Sequence, residues 1–159
     1  MKNKLITKIT TIMMCAIMLV LSTANVQAAG LDYTYETIDK SDVVTGSAST
    51  ITVNWKYKKA VINGDSEAAN KINAYIGDKC DAFFEFPSGC FEMAEYDVED
   101  RSWDDTYEDT VTQQVLYNGK IISIKQTTNW YAGGVGNTDI EGLNFNASTG
   151  KRIHFTWKI

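Results

Sequence analysis

The sequence predicts an α+β domain, an antiparallel β-sheet with one main α-helix packed on it, and three observations carry that expectation. Ile51, Val53, Trp55 and Tyr57 alternate with Thr52, Asn54, Lys56 and Lys58, the period-2 pattern of a strand with one buried face. Ala68, Ile72, Ile76, Cys80 and Phe83 recur at spacings of three and four, an apolar stripe at helical period. Further strand patterns follow this helix without alternating with other helices, which favours helix on antiparallel sheet over a parallel α/β fold.

Each element has its own warrant. Leu31, Tyr33 and Tyr35 show a short alternation ahead of the strand at 51–57. Asn63-Gly64-Asp65-Ser66 supplies turn and capping residues for the helix, and Glu67 suits its first turn. Lys71, Asp78 and Asp81 fall on the opposite face, Gly77 weakens the helix, and Pro87 ends it. Val111 to Trp130 reads as a hairpin turning at Asn118-Gly119, a pair suited to a two-residue type I′ turn. That turn sets Val115 against Ile122 and Leu116 against Ile121. Gly133-Gly134 stops the second strand; a strand over 138–145, a turn over 147–150 and a strand over 152–157 complete the sheet.

The N-terminus has the three parts of a secretory signal. Lys2, Lys4 and Lys8 precede an apolar run from Ile9 to Leu21, and Val26-Gln27-Ala28 places small residues where cleavage requires them. The run is shorter than the roughly 20 residues a spanning helix needs, so residues 1–28 are expected to be removed and not to anchor the chain. What remains, 29–159, suits one domain without internal repeat or linker. Loss of the three lysines takes the net charge from −5 to −8. Such a balance argues against nucleic acid and against an anionic membrane surface, and suits a cationic partner. The expected location is extracellular, at the cell envelope.

In that oxidising compartment Cys80 and Cys90 are expected to form a structural disulfide, with Pro87-Ser88-Gly89 turning the chain between them. Such a bridge would stabilise the fold by roughly 3 kcal/mol. Two cysteines and the distant His154 make a poor zinc site, and no cofactor is expected.

Three runs carry a resemblance to a known family. These are Tyr117-Asn118-Gly119-Lys120-Ile121-Ile122-Ser123-Ile124, then Tyr131-Ala132-Gly133-Gly134, then Asn144-Phe145-Asn146-Ala147-Ser148-Thr149-Gly150-Lys151-Arg152-Ile153. Together with Ala69-Asn70-Lys71-Ile72-Asn73 they resemble the N-terminal domain of PdaC-type peptidoglycan deacetylases, a domain of unknown function shared with the extracellular part of RsiV-type anti-sigma factors. The resemblance spans roughly residues 51–155 and implies an α+β domain at the Gram-positive envelope. RsiV-like proteins bind lysozyme there, and PdaC-like proteins continue into a separate catalytic domain. Where the family usually has Gly-Gly-Ala-His-Gly, this chain has Gly133-Gly134-Val135-Gly136-Asn137. Against the proteins it resembles, 29–159 reads as a shortened chain.

Chemistry is poorly served by this sequence. One histidine, His154, cannot supply a metal-dependent deacetylase, and no Gly-x-Ser-x-Gly elbow accompanies it for Ser-His-Asp hydrolysis. Acidic residues abound, but nothing singles out a pair for glycan cleavage, so a small glycan-cleaving hydrolase stays the alternative. A fragment of a larger envelope protein is the other. Two stretches suggest recognition. Between Glu92 and Asp109 nine acids meet the single base Arg101, with Tyr96, Trp103 and Tyr107 interleaved. This stretch reads as a solvated connection, with Trp103, Asp104, Asp105 and Tyr107 as candidate docking residues for a cationic protein. The second is Trp130-Tyr131-Ala132-Gly133-Gly134, where Trp130 and Tyr131 border glycines 133 and 134, which let a ligand approach the backbone. The expected role is therefore a non-catalytic envelope module that binds a cationic wall-active protein such as lysozyme, or else peptidoglycan.

Overall fold

The computed structural model describes residues 16–18, 31–85 and 89–154. One sheet runs through it in sequence order: β1 (Ala16–Met18), β2 (Tyr33–Thr45), β3 (Thr50–Ile62), β4 (Asp105–Asn118), β5 (Ile121–Ala132), β6 (Val135–Asn146) and β7 (Arg152–Ile153). Apart from Ala16–Met18, which pairs with Thr37–Asp39, the expected signal segment lies outside the described residues, as do Pro87 and the end of the expected last strand, Phe155 and Trp157.

The sheet is mixed, which corrects the expectation of an antiparallel sheet under one main helix. Every neighbouring pair is antiparallel except β3 and β4, which run parallel from Ile51↔Asp105 to Lys58↔Thr112. Parallel neighbours need a long crossover, and two helices supply it: α1 (Glu67–Glu85) and α2 (Gly89–Asp100). The acidic stretch after Glu92, expected as a connection, is thus the body of α2 followed by β4. The α+β class itself holds.

Helix α1 forms as its sequence dictates. The Ser66 hydroxyl accepts the Ala69 amide at 3.1 Å, and Lys71 reaches Glu67 one turn away. Ile72, Ile76 and Cys80 are fully buried, each isoleucine contributing roughly 1.5–3 kcal/mol by leaving water. They pack with Ala60, Ile62, Ile122, Ile124, Leu143 and Phe145 in one cluster, with Cys80 beside Tyr57 and Val111 in another. Helix α2 buries Cys90, Ala94 and Val98 at a spacing of four, against Ile51, Val53, Tyr107 and Ala132.

The two cysteines are therefore not bridged, which corrects the expected disulfide. Cys80 lies under α1, where burial pushes its thiol above the ordinary range. Cys90 lies under α2, its thiol directed at the carbonyls of Glu108 (3.6 Å) and Tyr131 (3.8 Å). Residue 89 begins a second helix, so the cysteines project into separate clusters instead of facing one another across a turn. We expect peptide mapping of the unreduced chain to find no Cys80–Cys90 linkage, and Tm to be the same with and without reductant. A Tm that falls on reduction would refute this.

The hairpin turns also differ from expectation. No residue near Asn118 has positive φ, so no type I′ turn forms there. Val115 faces Ile124 and Asn118 faces Ile122, with the register shifted between Val115 and Tyr117 and Leu116 left 61% exposed. The Asn118 side chain is occupied elsewhere, accepting the Leu31 amide at 3.1 Å and donating to its carbonyl at 2.6 Å. The tight two-residue turn is instead Gly133-Gly134, both at positive φ (+61° and +87°), between the paired Ala132 and Val135.

Candidate functional site

At one end of the sheet three connections meet, and they collect the two stretches singled out from sequence. The first is the β2–β3 turn, whose Ala48 and Ser49 amides donate to the Val98 carbonyl at 3.1 and 3.2 Å. These bonds satisfy the C-terminal end of α2, where carbonyls lack helical partners. Ser47 adds a bond to Glu99 (2.8 Å), and Asp104 accepts the Thr50 amide (2.7 Å). Asp104 is thus a structural cap on β3 as well as an exposed acid.

The second and third connections, residues 101–104 and the Gly133-Gly134 turn, are joined by Arg101. Its Nε lies 3.1 Å from Asp97 Oδ2, its Nη1 3.8 Å from Asp105, and its Nη2 donates to the Gly133 carbonyl at 3.1 Å. The guanidinium also lies 5.3 Å from the centre of the Trp103 ring, within cation–π range. Gly133 is required for this approach, since a Cβ there would sit 2.5 Å from Arg101 Nη2. Tyr107, fully buried, donates its hydroxyl to Asp97. Burial foremost, and then the Asp97 carboxylate, push that hydroxyl above its ordinary range, so it stays a protonated donor. Tyr107 is part of the core, not a contact residue.

The remaining side chains divide by exposure. Trp130 is half-buried against the α2 cluster, while Tyr131 is 43% and Trp103 58% exposed. Tyr96, on the outer face of α2, is 72% exposed and adjoins the exposed Glu92, Glu95, Glu99 and Asp100. None of these four acids has an ion pair among the described residues. Acids in the last helical turn oppose the helix dipole by roughly 0.3–1 kcal/mol each, and α2 carries Glu99 and Asp100 there with no base. Asp97 and Arg101 were missed from sequence as the linking pair; their spacing of four on a helix was the available signal.

A second polar group is wholly internal. Gln113 donates to the Tyr57 hydroxyl (3.1 Å) and to Gln126 Oε1 (2.9 Å), and accepts the Ala60 amide (3.0 Å). Tyr57 donates in turn to Gln126 (3.2 Å), and burial raises its hydroxyl pKa. Under α1, Glu141 meets Lys79 at 2.9 Å and Arg152 at 3.2 Å. Burial pulls its carboxyl up, but the two cations outweigh it and hold the group below the ordinary carboxylate range. Among the described residues no three His, Cys, Asp or Glu side chains gather as a metal site, and no helix is long and apolar enough to cross a membrane.

No family model matches the chain, and no curated protein does. Among solved structures, it is similar to the crystal structure of a DUF3298 family protein from Pseudomonas aeruginosa PAO1. The identity is 12% and the TM-score 0.42, over 75% of this chain and 54% of that one. The chain thus spans about half the length of that neighbour, itself a member of a domain-of-unknown-function family.

Proposed function

We propose that this domain is a non-catalytic recognition module of the cell envelope, and that it docks a cationic wall-active protein such as lysozyme. The docking surface is the acidic, aromatic outer face of α2 continued by Trp103 and Tyr131. One observation carries the reading. Arg101, the only base between Glu92 and Asp109, is held inward by Asp97, Asp105 and the Gly133 carbonyl. It therefore leaves Glu92, Glu95, Glu99 and Asp100 uncompensated around two exposed rings. Exposed Trp and Tyr anchors within a field of one sign are what steer and then hold an oppositely charged partner. The PdaC/RsiV-like runs noted in the sequence support the same reading, because RsiV-like domains bind lysozyme. Peptidoglycan is the second ligand, favoured only by the exposed Tyr131 ring beside the glycine turn.

Immobilised lysozyme tests this directly. Binding should be measurable at low salt and fall steeply as salt rises, because exposed charges are screened beyond a Debye length of about 10 Å at 0.1 M. Trp103→Ala should weaken it by about 2 kcal/mol, or some thirtyfold, as loss of an aromatic anchor does. Salt-insensitive binding to purified cell wall, with none to lysozyme, would transfer the function to the glycan. Release of soluble fragments from that wall by the protein alone would make it an enzyme.

A further inference from the structure

The two sides of the sheet end differently. On one side β2 carries Glu36, Asp39, Lys40 and Asp42, and β1 covers Thr37–Asp39. On the other side β6 pairs along its whole length with β5, but β7 meets only Asn144 and Phe145. Arg152 Nη2 then takes the Gly142 carbonyl at 3.1 Å. From Val135 to Glu141 the far side of β6 has no backbone partner among the described residues. Natural sheets blunt such edges with charged side chains, lysine above all, with proline, a bulge or a covering segment. Of these the stretch carries the carboxylates Asp139 and Glu141. This stretch has neither lysine nor proline, and its register with β5 is unbroken. Residues 135–140 are all exposed, Val135 at 60% and Ile140 at 66%.

The parity of the strand can be fixed. Backbone groups of alternate residues point the same way, and the Gly142 carbonyl points outward to Arg152. Gly136, Thr138 and Ile140 therefore direct their N–H and C=O groups away from β5. We infer that Val135–Glu141 is an acceptor edge for an extended cationic protein segment, which adds to the sheet as a further strand. Charge selects the occupant. Asp139 is exposed and has no ion pair among the described residues. A second copy docking antiparallel along this stretch would bring Asp139 close to its own counterpart, and like charges on facing strands are destabilising. A lysine or arginine opposite Asp139 is complementary, and the exposed Ile140 suits an apolar neighbour. Main-chain bonds supply affinity in this mode and alternate side chains supply selectivity. The inference does not rest on the docking proposed for α2.

Amide exchange on the full chain is the test, with a synthetic peptide of alternating lysine and valine as probe and its glutamate–valine counterpart as control. The lysine peptide should slow exchange at Gly136, Thr138 and Ile140, and the glutamate peptide should not. Thr138→Pro removes an outward N–H and the hydroxyl's bond to Asn129 (2.8 Å) but no backbone bond to β5. The backbone pairing therefore survives while peptide binding weakens about tenfold, as expected for one or two lost hydrogen bonds. Asp139→Lys should reverse the peptide preference and carries the test if the proline variant does not fold. Three results would overturn the inference. The outward amides could already be slow in the peptide-free monomer, which means the chain covers its own edge. They could be protected in a dimer and exposed on dilution, or respond to neither peptide. Trp103→Ala leaves all these readouts unchanged, so failure of the α2 docking is told apart from failure here.

Discussion

Replacing Gln113 with alanine lowers stability by about 3–5 kcal/mol, the sum expected for orphaning several buried polar groups and leaving a cavity. The reason is local. Beyond Lys58↔Thr112 the pairing of β3 with β4 ends, and the Ala60 amide, inside the core, finds its acceptor in the Gln113 side chain. The same side chain bonds the Tyr57 hydroxyl and Gln126. Gln113 thus replaces a missing strand contact, and alanine can replace none of its three bonds. Urea unfolding measures the loss. Gln126→Ala leaves the Ala60–Gln113 bond in place and should cost less. A loss below about 1 kcal/mol for Gln113→Ala, the size of one net hydrogen bond, would show that the core admits water at this point.

Gly150→Ala should cost about 2–4 kcal/mol, because it combines backbone strain with a collision. Gly150 has a φ of +68° in the β6–β7 turn and lies against the first turn of α1. A Cβ there would sit 2.6 Å from the Ala68 carbonyl oxygen and 2.8 Å from Lys71 Cβ. Neither atom is the free end of a flexible side chain, so the helix or the turn must shift. Gly64→Ala is the matched control. Its φ is +93°, yet nothing lies within 4 Å of its added methyl, so only strain of roughly 1–3 kcal/mol remains. Equal losses for the two variants, by thermal or urea unfolding, would show that the contact with α1 is immaterial.

Much of the fold was legible because single elements obey local rules. The cap at Ser66, the α1 stripe through Ile72 and Ile76, and the buried alternation of Ile51, Val53 and Tyr57 follow from period and chemistry alone. Helix α2 was not read, though Cys90, Ala94 and Val98 repeat at fours, because dense acids disguised a narrow apolar stripe and Pro87 read as the end of helical structure. The parallel pairing of β3 and β4 leaves no mark in either strand, since it depends on the crossover. At Asn118-Gly119 tertiary bonding to Leu31 overrode turn preference. The candidate site residues were partly legible. Trp103 and Tyr131 are exposed as a contact role needs, but Tyr107 and Trp130 serve the core, Asp104 caps β3 and Asp105 holds Arg101. That Arg101 joins the two stretches could not be seen, because their proximity is set by the sheet.

The crossover also decides what the helices are for. β2 with β3, and β4 with β5 and β6, are each wound from neighbours in sequence, so each pairing closes a short loop. Joining Ile51 to Asp105 closes one that holds both helices, at an entropic cost on the order of 3–4 kcal/mol. No turn residue can offset that. The apolar undersides of α1 and α2 have to, which makes them the fastening between two halves of a β-structure and not a layer laid over it.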